Sequence, residues 1–228
     1  MARPHPHPPH PHRDGPHEPG PDAGETDHAA FVLSVTSTRP VPLTPEIVLH
    51  TADDIITLWE RTGSPEPPFW AFPWAGGQAL ARYVLDHPEL LAGRRVLDLA
   101  SGSGLVAVAA ARAGGRVTAN DVDPVAATAI TLNARANDVT LTITPGDLLD
   151  TTPDTDVLLA GDVFYDRDMA ARVEPFLLAA HRRGALVLVG DPHRSFMPRG
   201  WTRVAAFPVP VPPNLEGVAV RTTTVWRP

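Results

Sequence analysis

Short apolar runs that read as strands alternate with longer stretches of helical spacing from Arg95 to Val189, and this alternation constrains the fold more tightly than any other feature. Arg95-Val96-Leu97-Asp98-Leu99 reads as a buried strand, and Leu105 to Arg112 as an Ala-rich helix. Gly115 to Ala119 follows as a second strand. Asp123 and Pro124 then supply an N-cap and a proline at the first helical position, opening a helix to about Ala136. Val139–Thr144, Asp156–Gly161 and Ala185–Val189 read as the third, fourth and fifth strands, with a helix from Arg167 to Arg183 that Gly184 stops. Thr202–Phe207 and Val218–Trp226 read as two closing strands. The pattern predicts an α/β, Rossmann-like, doubly wound and mostly parallel sheet with right-handed crossovers. The link from Leu148 to Thr155 is too short for a full crossover helix, so that helix is expected to be missing or reduced to a turn.

The front of the chain reads differently. Residues 1–27 carry 8 of the 27 prolines and 5 of the 10 histidines, with few apolar side chains. Such a segment cannot bury enough surface to offset its ordering entropy, and a disordered tail is expected. His5, His7, His10, His12 and His17 form either an incidental solvated run or a loose, unselective metal chelator. Residues 28–228 are expected to form the single domain, with 28–90 as an N-terminal cap segment. Within that segment Phe31–Val35 reads as a strand and Thr44–Leu49 as an extended piece. Ala52–Arg61 reads as a helix capped by Thr51 or Asp53, and Gln78–Asp86 as another helix.

Composition narrows the function. The 228 residues suit one domain plus a tail. Nineteen cations, all arginine, against 26 acids leave a formal charge of −7, which argues against an extended nucleic-acid footprint. No cysteine is present, so disulfides, thiolate metal sites and cysteine nucleophiles are excluded. No apolar run approaches the roughly 18 residues of a membrane span, and the first residues lack the apolar block of a secretory signal. A cytoplasmic protein with no membrane or nucleic-acid partner and no resident metal is expected, as a monomer.

In an open parallel sheet, ligands bind outside the carboxyl ends of the strands. Three acids fall at those ends. Asp98 lies inside the first strand, before the turn Ala100-Ser101-Gly102-Ser103-Gly104; Gly102 and Gly104 let the backbone approach a ligand closely. An acid so placed favours an amine-bearing ligand over a pyrophosphate. Asp121, 17 residues after Gly104, can accept both hydroxyls of a ribose, or act as a helix cap beside Asp123. Asp147, next to Leu148 after the third strand, can accept from an adenine amine or serve the turn after Gly146. Together they fit a ligand with an amino-acid end, a ribose and an adenine: S-adenosylmethionine.

Asp98 to Gly104 resembles the first motif of the class I (seven-strand) methyltransferases, which usually have Gly at the position of Ala100. Four further stretches are similar to the electron-transfer flavoprotein β-subunit lysine methyltransferase and its bacterial, nicotinamide N-methylase-like relatives. They are Phe69-Trp70-Ala71-Phe72-Pro73-Trp74-Ala75-Gly76-Gly77-Gln78-Ala79-Leu80, Ala119–Pro124, Gly161-Asp162-Val163-Phe164-Tyr165-Asp166 and Thr222–Trp226. The resemblance runs from about Val41 to Trp226. It implies the strand order 3-2-1-4-5-7-6 with the last strand antiparallel, and an acceptor site at the end of the fourth strand. It also implies that Asp162-x-x-Tyr165 is the acceptor motif, the two residues expected to be catalytic.

A lysine acceptor has a free pKa near 10.4, so about 1 in 2,500 is neutral at pH 7, a handicap of about 4.6 kcal/mol. Burial in an apolar channel lowers that pKa, whereas a neighbouring carboxylate favours the ammonium. Asp162 is therefore expected to capture and align the amine, with water taking the proton. Phe164 and Tyr165 are expected to wall the acceptor, with Trp70 beside it. Trp70 and Trp74 are expected to roof the cofactor, with Gly76 close to it; both tryptophans also suit simple core packing. His193, after the fifth strand, either reaches the site or belongs to a loop. Protein-lysine methylation is the leading expectation, with the electron-transfer flavoprotein β-subunit as first candidate. The alternatives are a small-molecule N-methyltransferase of the nicotinamide N-methylase type, a dinucleotide-dependent reductase and a non-catalytic nucleotide-binding module.

Overall fold

The computed structural model describes residues 23–213 and 217–228, with side chains from residue 27. The core is a seven-stranded sheet of β3 (Arg95–Leu99), β4 (Arg116–Asp121), β5 (Thr142–Pro145), β6 (Val157–Gly161), β7 (Leu186–Asp191), β8 (Thr202–Pro210) and β9 (Val220–Arg227). Its spatial order is β5-β4-β3-β6-β7-β9-β8, which is 3-2-1-4-5-7-6 counted along the core strands. β3 pairs in parallel with β4 and β6, placing Asp98 opposite Ala119 and Leu159. β9 inserts antiparallel to both β7 and β8.

Helices α3 (Ala75–Asp86), α4 (Leu105–Arg112) and α5 (Pro124–Ala136) lie on one face. The small side chains of α4, Ala107, Ala109 and Ala110, are fully buried, so that helix sits close to the sheet. Helix α6 (Arg167–Arg182) covers part of the other face through Ala170, Val173, Phe176 and Leu177. No helix joins β5 to β6. The sheet face that such a helix would cover is left as a groove of about 660 Å³. Thr118, Thr142 and Thr144 line it beside Leu97, with Arg95 and Asp154 at its edge. Threonine fits a pleated surface and tolerates water, which explains how this face survives bare.

The front of the domain differs from its sequence reading. Phe31–Val35 is not a strand but the end of helix α1 (Ala23–Val35). As a helix the segment packs Val32 against Trp70, Ile55 and Ala129, and sets Phe31 edge-on to Trp70 at 6.1 Å. The expected tail and its five histidines fall on residues 1–22, outside the described residues; Ala23 to Asp27 instead open α1. A hairpin, β1 (Ser37–Pro40) with β2 (Val48–Thr51), leads into α2 (Ile55–Thr62). Its cap is Asp54, neither Thr51 nor Asp53: Ile56 N–H donates to Asp54 Oδ1 at 2.9 Å. α3 starts at Ala75, three residues before the expected Gln78.

Candidate active site

The carboxyl ends of β3, β4 and β6 open into one cavity of about 1430 Å³. Asp98, Ser101 and Gly102 lie at one side, Asp121 and Asp123 beside them, and Asp162 and Tyr165 at the other. The segment Phe69–Trp74 closes it from above. Trp74 Nε1–H donates to Phe69 O at 2.9 Å, and the Phe69 ring lies 5.1 Å from that of Tyr165. Trp70 and Trp74 both line the cavity, and Trp70 is 97% buried and also packs against Phe31. Among the described residues, no cluster of three potential metal ligands exists, and no helix is long and apolar enough to cross a membrane.

The turn after β3 uses a backbone that only glycine adopts freely. Ala100, Gly102 and Gly104 all have positive φ, at 51°, 54° and 80°. This turn hands the chain to α4 while Gly102 N–H donates to Asp121 Oδ2 at 2.8 Å. Asp121 Oδ1 accepts from Asp123 N–H at 3.0 Å, and Asp123 in turn caps α5. Asp121 thus braces the turn and faces the cavity, while the helix cap beside it is Asp123 and not Asp121. Asp98 is 1% exposed. Burial pushes its carboxyl up to about 7; the Ser101 hydroxyl donating to it pulls the other way, and the nearby Asp121 charge adds to the rise. A buried acid lining a cavity and held near its neutral form stands ready to receive a cation or an N–H donor. Asp121 is raised for the same first reason, burial.

Asp162 follows β6 directly, in the left-handed region at φ 56°. Its main-chain N–H donates to Gly190 O at 2.9 Å, and its Oδ2 accepts from Gly77 N–H at 2.9 Å. Trp74, the N-cap of α3, provides no side-chain cap. The first turn's free amides are therefore satisfied by a carboxylate from another element. This contact requires very close approach. A Cβ on Gly76 would lie 2.2 Å from Gly190 O and 2.6 Å from Asp162 Oδ2, and one on Gly190 would lie 2.0 Å from Gly76 O. Burial raises the Asp162 carboxyl to about 7, with Arg194 and the α3 amides opposing the rise. Its Oδ1 is buried and accepts no hydrogen bond, with Arg194 Nη2 3.7 Å away.

Several expected site residues lie elsewhere. Phe164 does not wall the cavity: it is fully buried beneath it, edge-on to Trp201 at 5.8 Å. In the Asp162–Tyr165 turn, Val163 and Phe164 face the core while Tyr165, 40% exposed, faces out. Asp147 and Leu148 are also outside the cavity wall. Asp147 caps Leu149 N–H at 2.9 Å and pairs with Arg172 at 2.8 Å, while Leu148 packs into the α6 face. Gly76 and Gly104 are packing positions: the first meets Gly190, and a Cβ on the second would press Ile130 at 3.2 Å. His193 bonds Thr224 Oγ1 at 3.1 Å and rests edge-on to Trp226, away from the wall. Sequence reasoning missed Phe69, Ser101 and Arg194 as wall residues. Phe69 stood inside the aromatic segment already singled out. Arg194 carried no local signal, because it reaches the cavity only through the turn after β7.

These features fit S-adenosylmethionine: a cavity large enough for it, buried Asp98 for a cationic amine, Asp121 with the Gly102 turn for a ribose, and aromatic walls for apolar atoms. Comparison with known proteins agrees. The sequence profile of Ribosomal protein L11 methyltransferase (PrmA) matches residues 78–161. The electron transfer flavoprotein beta subunit lysine methyltransferase of Danio rerio is 37% identical over 218 residues, covering 89% of this chain and 84% of that protein. Its Rattus norvegicus counterpart is 37% identical over 196 residues, covering 81% of this chain and 77% of that protein. At the level of fold, a putative RNA methyltransferase from Pyrococcus horikoshii, PH1948, superposes with a TM-score of 0.53 at 14% identity, covering 90% of this chain and 97% of that one. The chain is an S-adenosylmethionine-dependent methyltransferase and belongs to the electron transfer flavoprotein beta subunit lysine methyltransferase family.

Proposed function

We propose that this protein methylates a lysine side chain of another protein, with the electron transfer flavoprotein β-subunit as the acceptor to test first. The observation that carries the reading is Asp162 Oδ1, a buried carboxylate oxygen without a hydrogen-bond donor, lining the cavity close to Tyr165. A lysine amine provides the missing donor. The names of the relatives in fish and rat support the acceptor.

When bound, S-adenosylmethionine supplies a methyl group already activated on a sulfonium. Asp98 would hold the amino-acid end, Asp121 the ribose, and Trp74 with Phe69 the apolar roof. The protein must then present an unprotonated nitrogen in line and keep it there. Asp162 Oδ1 accepts an N–H of the amine and orients it. The Tyr165 ring and Phe69 exclude water from the approach path, and the tyrosine face attracts an entering cation. The proton leaves to water at the cavity mouth, where Tyr165 is exposed.

The test is labelled-methyl transfer to purified electron transfer flavoprotein and to a cell lysate, read by mass spectrometry. Label on a lysine of the β-subunit supports the proposal. Label confined to low-mass metabolites refutes it and favours a small-molecule N-methyltransferase. The enzyme itself contains no lysine, so any self-labelled band is not lysine methylation.

A further inference from the structure

We infer that Arg194 is a positioning residue: its guanidinium offsets the charge of Asp162, so that an acceptor amine held by that carboxylate gives up its proton inside the enzyme. The inference rests on the reading of Asp162 as the acceptor's anchor. It addresses a conflict in that reading. A carboxylate that captures an amine also favours the ammonium, the form that cannot accept a methyl group.

The geometry supplies the counterweight. Asp162 Oδ2 is tied to the amide of Gly77, which leaves Oδ1 as the free acceptor. Arg194 Nη2 stands 3.7 Å from that oxygen, beyond hydrogen-bond range but well within range of its charge. Arg194 itself lines the cavity and is three-quarters buried. It does not reach this place by chance. Its main-chain N–H donates to Asp191 Oδ1 at 2.7 Å, and Asp191 is fully buried at the end of β7. The turn is also propped from β9, through the His193–Thr224 contact.

Among the described residues, the charged and hydrogen-bonding groups around Asp162 come from three places. From the β7 end come the Arg194 cation and the Asp191 acid, with His193 beside Asp191; from α3 come the Gly76 and Gly77 amides. On its own turn stand Tyr165 and Asp166. Asp191 opposes Arg194 in its effect on Asp162, raising the carboxyl where the arginine lowers it, and Arg194 stands 3.7 Å from Oδ1, near enough to offset its charge without a hydrogen bond. An ammonium entering this space meets a carboxylate oxygen for alignment and a guanidinium that opposes its charge. One N–H bond breaks, the electron pair stays on nitrogen, and the proton passes to water at the mouth. An adjacent full charge shifts a part-buried group by about 1–3 pKa units.

The full-length enzyme is compared with Arg194→Gln, Arg194→Lys and Asp162→Asn, using electron transfer flavoprotein as acceptor. Arg194→Gln is expected to move the acid limb of the kcat–pH profile up by about 1 unit. Its rate at pH 7 then falls roughly tenfold and recovers above pH 9, while KM for the acceptor falls. Arg194→Lys restores the limb. A pH-independent loss in Arg194→Gln, or a limb that stays in place, overturns the inference. If Asp162→Asn leaves the acceptor KM and the limb unmoved, the anchor reading fails first, and the inference with it. One measurement needs no acceptor: the 13C carboxyl titration of Asp162 in the S-adenosylhomocysteine complex. Arg194→Gln should raise its midpoint by about 1 unit, and no movement overturns the inference.

Discussion

Ala100 and Asp98 show how a single residue sets the terms of the site. Ala100 occupies left-handed backbone at φ 51°, where its Cβ crowds the following carbonyl. That strain costs an ordinary residue about 1–2 kcal/mol. Glycine relieves it but gains freedom in the unfolded chain. Ala100→Gly should therefore stabilise the protein by a net of about 1 kcal/mol, seen as a rise of roughly 2–4 °C in thermal unfolding. Asp98 carries a different burden. Its carboxyl, raised to about 7 by burial, opposes folding whenever it is ionised. Asp98→Asn should raise the melting temperature of the free enzyme at pH 8. Calorimetry should show the same variant losing S-adenosylmethionine binding by tenfold or more. A variant that keeps both wild-type stability and affinity would remove Asp98 from the site.

Among the elements, the crossing of α3 over the ends of β6 and β7 sets the position of the anchor acid. The helix reaches Asp162 because glycines meet without side chains between them. Gly76→Ala puts a methyl group 2.2 Å from the Gly190 carbonyl and should cost about 2–3 kcal/mol, roughly 5–10 °C in melting temperature. Gly77→Ala is the control. Its Cβ would meet nothing nearer than Leu105 and Val106 at 3.9 Å, and alanine favours the helix by just under about 1 kcal/mol. It should melt at or above the wild-type temperature. This crossing also explains what the sequence disclosed and what it withheld. The strand–helix alternation and the Asp123-Pro124 start of α5 were readable, because local propensity and tertiary packing agree there. Phe31–Val35 misled because a short apolar run suits strand or helix alike, and Trp70, 35 or more residues away, decides it. Phe164 misled because a turn has no fixed facing period: Val163 and Phe164 both turn into the core and only Tyr165 turns out.

At the scale of the molecule, two buried carboxyls titrate near neutrality, at opposite sides of one cavity. Asp98 and Asp162 both stand at about 7, above their unfolded values near 3.8. Raised acids contribute stability that is fully present below pH 4 and is lost as the pH climbs towards 7. The ligand-free enzyme should thus lose stability between pH 4 and 7, while S-adenosylmethionine should bind more tightly as the pH rises from 6 to 7.5. Titration calorimetry in buffers of different ionisation enthalpy should detect about one proton released on binding. An affinity that is flat across that range, with no proton released, would show that neither acid meets the ligand's charge. The acids at the ends of β3 and β4 were legible because sheet topology fixes where strand ends point. Asp147 was not, since its carboxylate is taken by Arg172 of α6, distant in sequence, and by the Leu149 amide of its own link.

The place of β9 in the sheet bears on how this protein is made. It is the last strand in sequence, yet it lies between β7 and β8 and supports the turn that carries Arg194 through Thr224. A ribosome must therefore release β9 before β8 can join the sheet, so the nascent domain waits, incomplete and adhesive, until synthesis has passed Trp226. Cleavage that removes β9 would leave the cofactor turn after β3 in place and strip the acceptor side of its support.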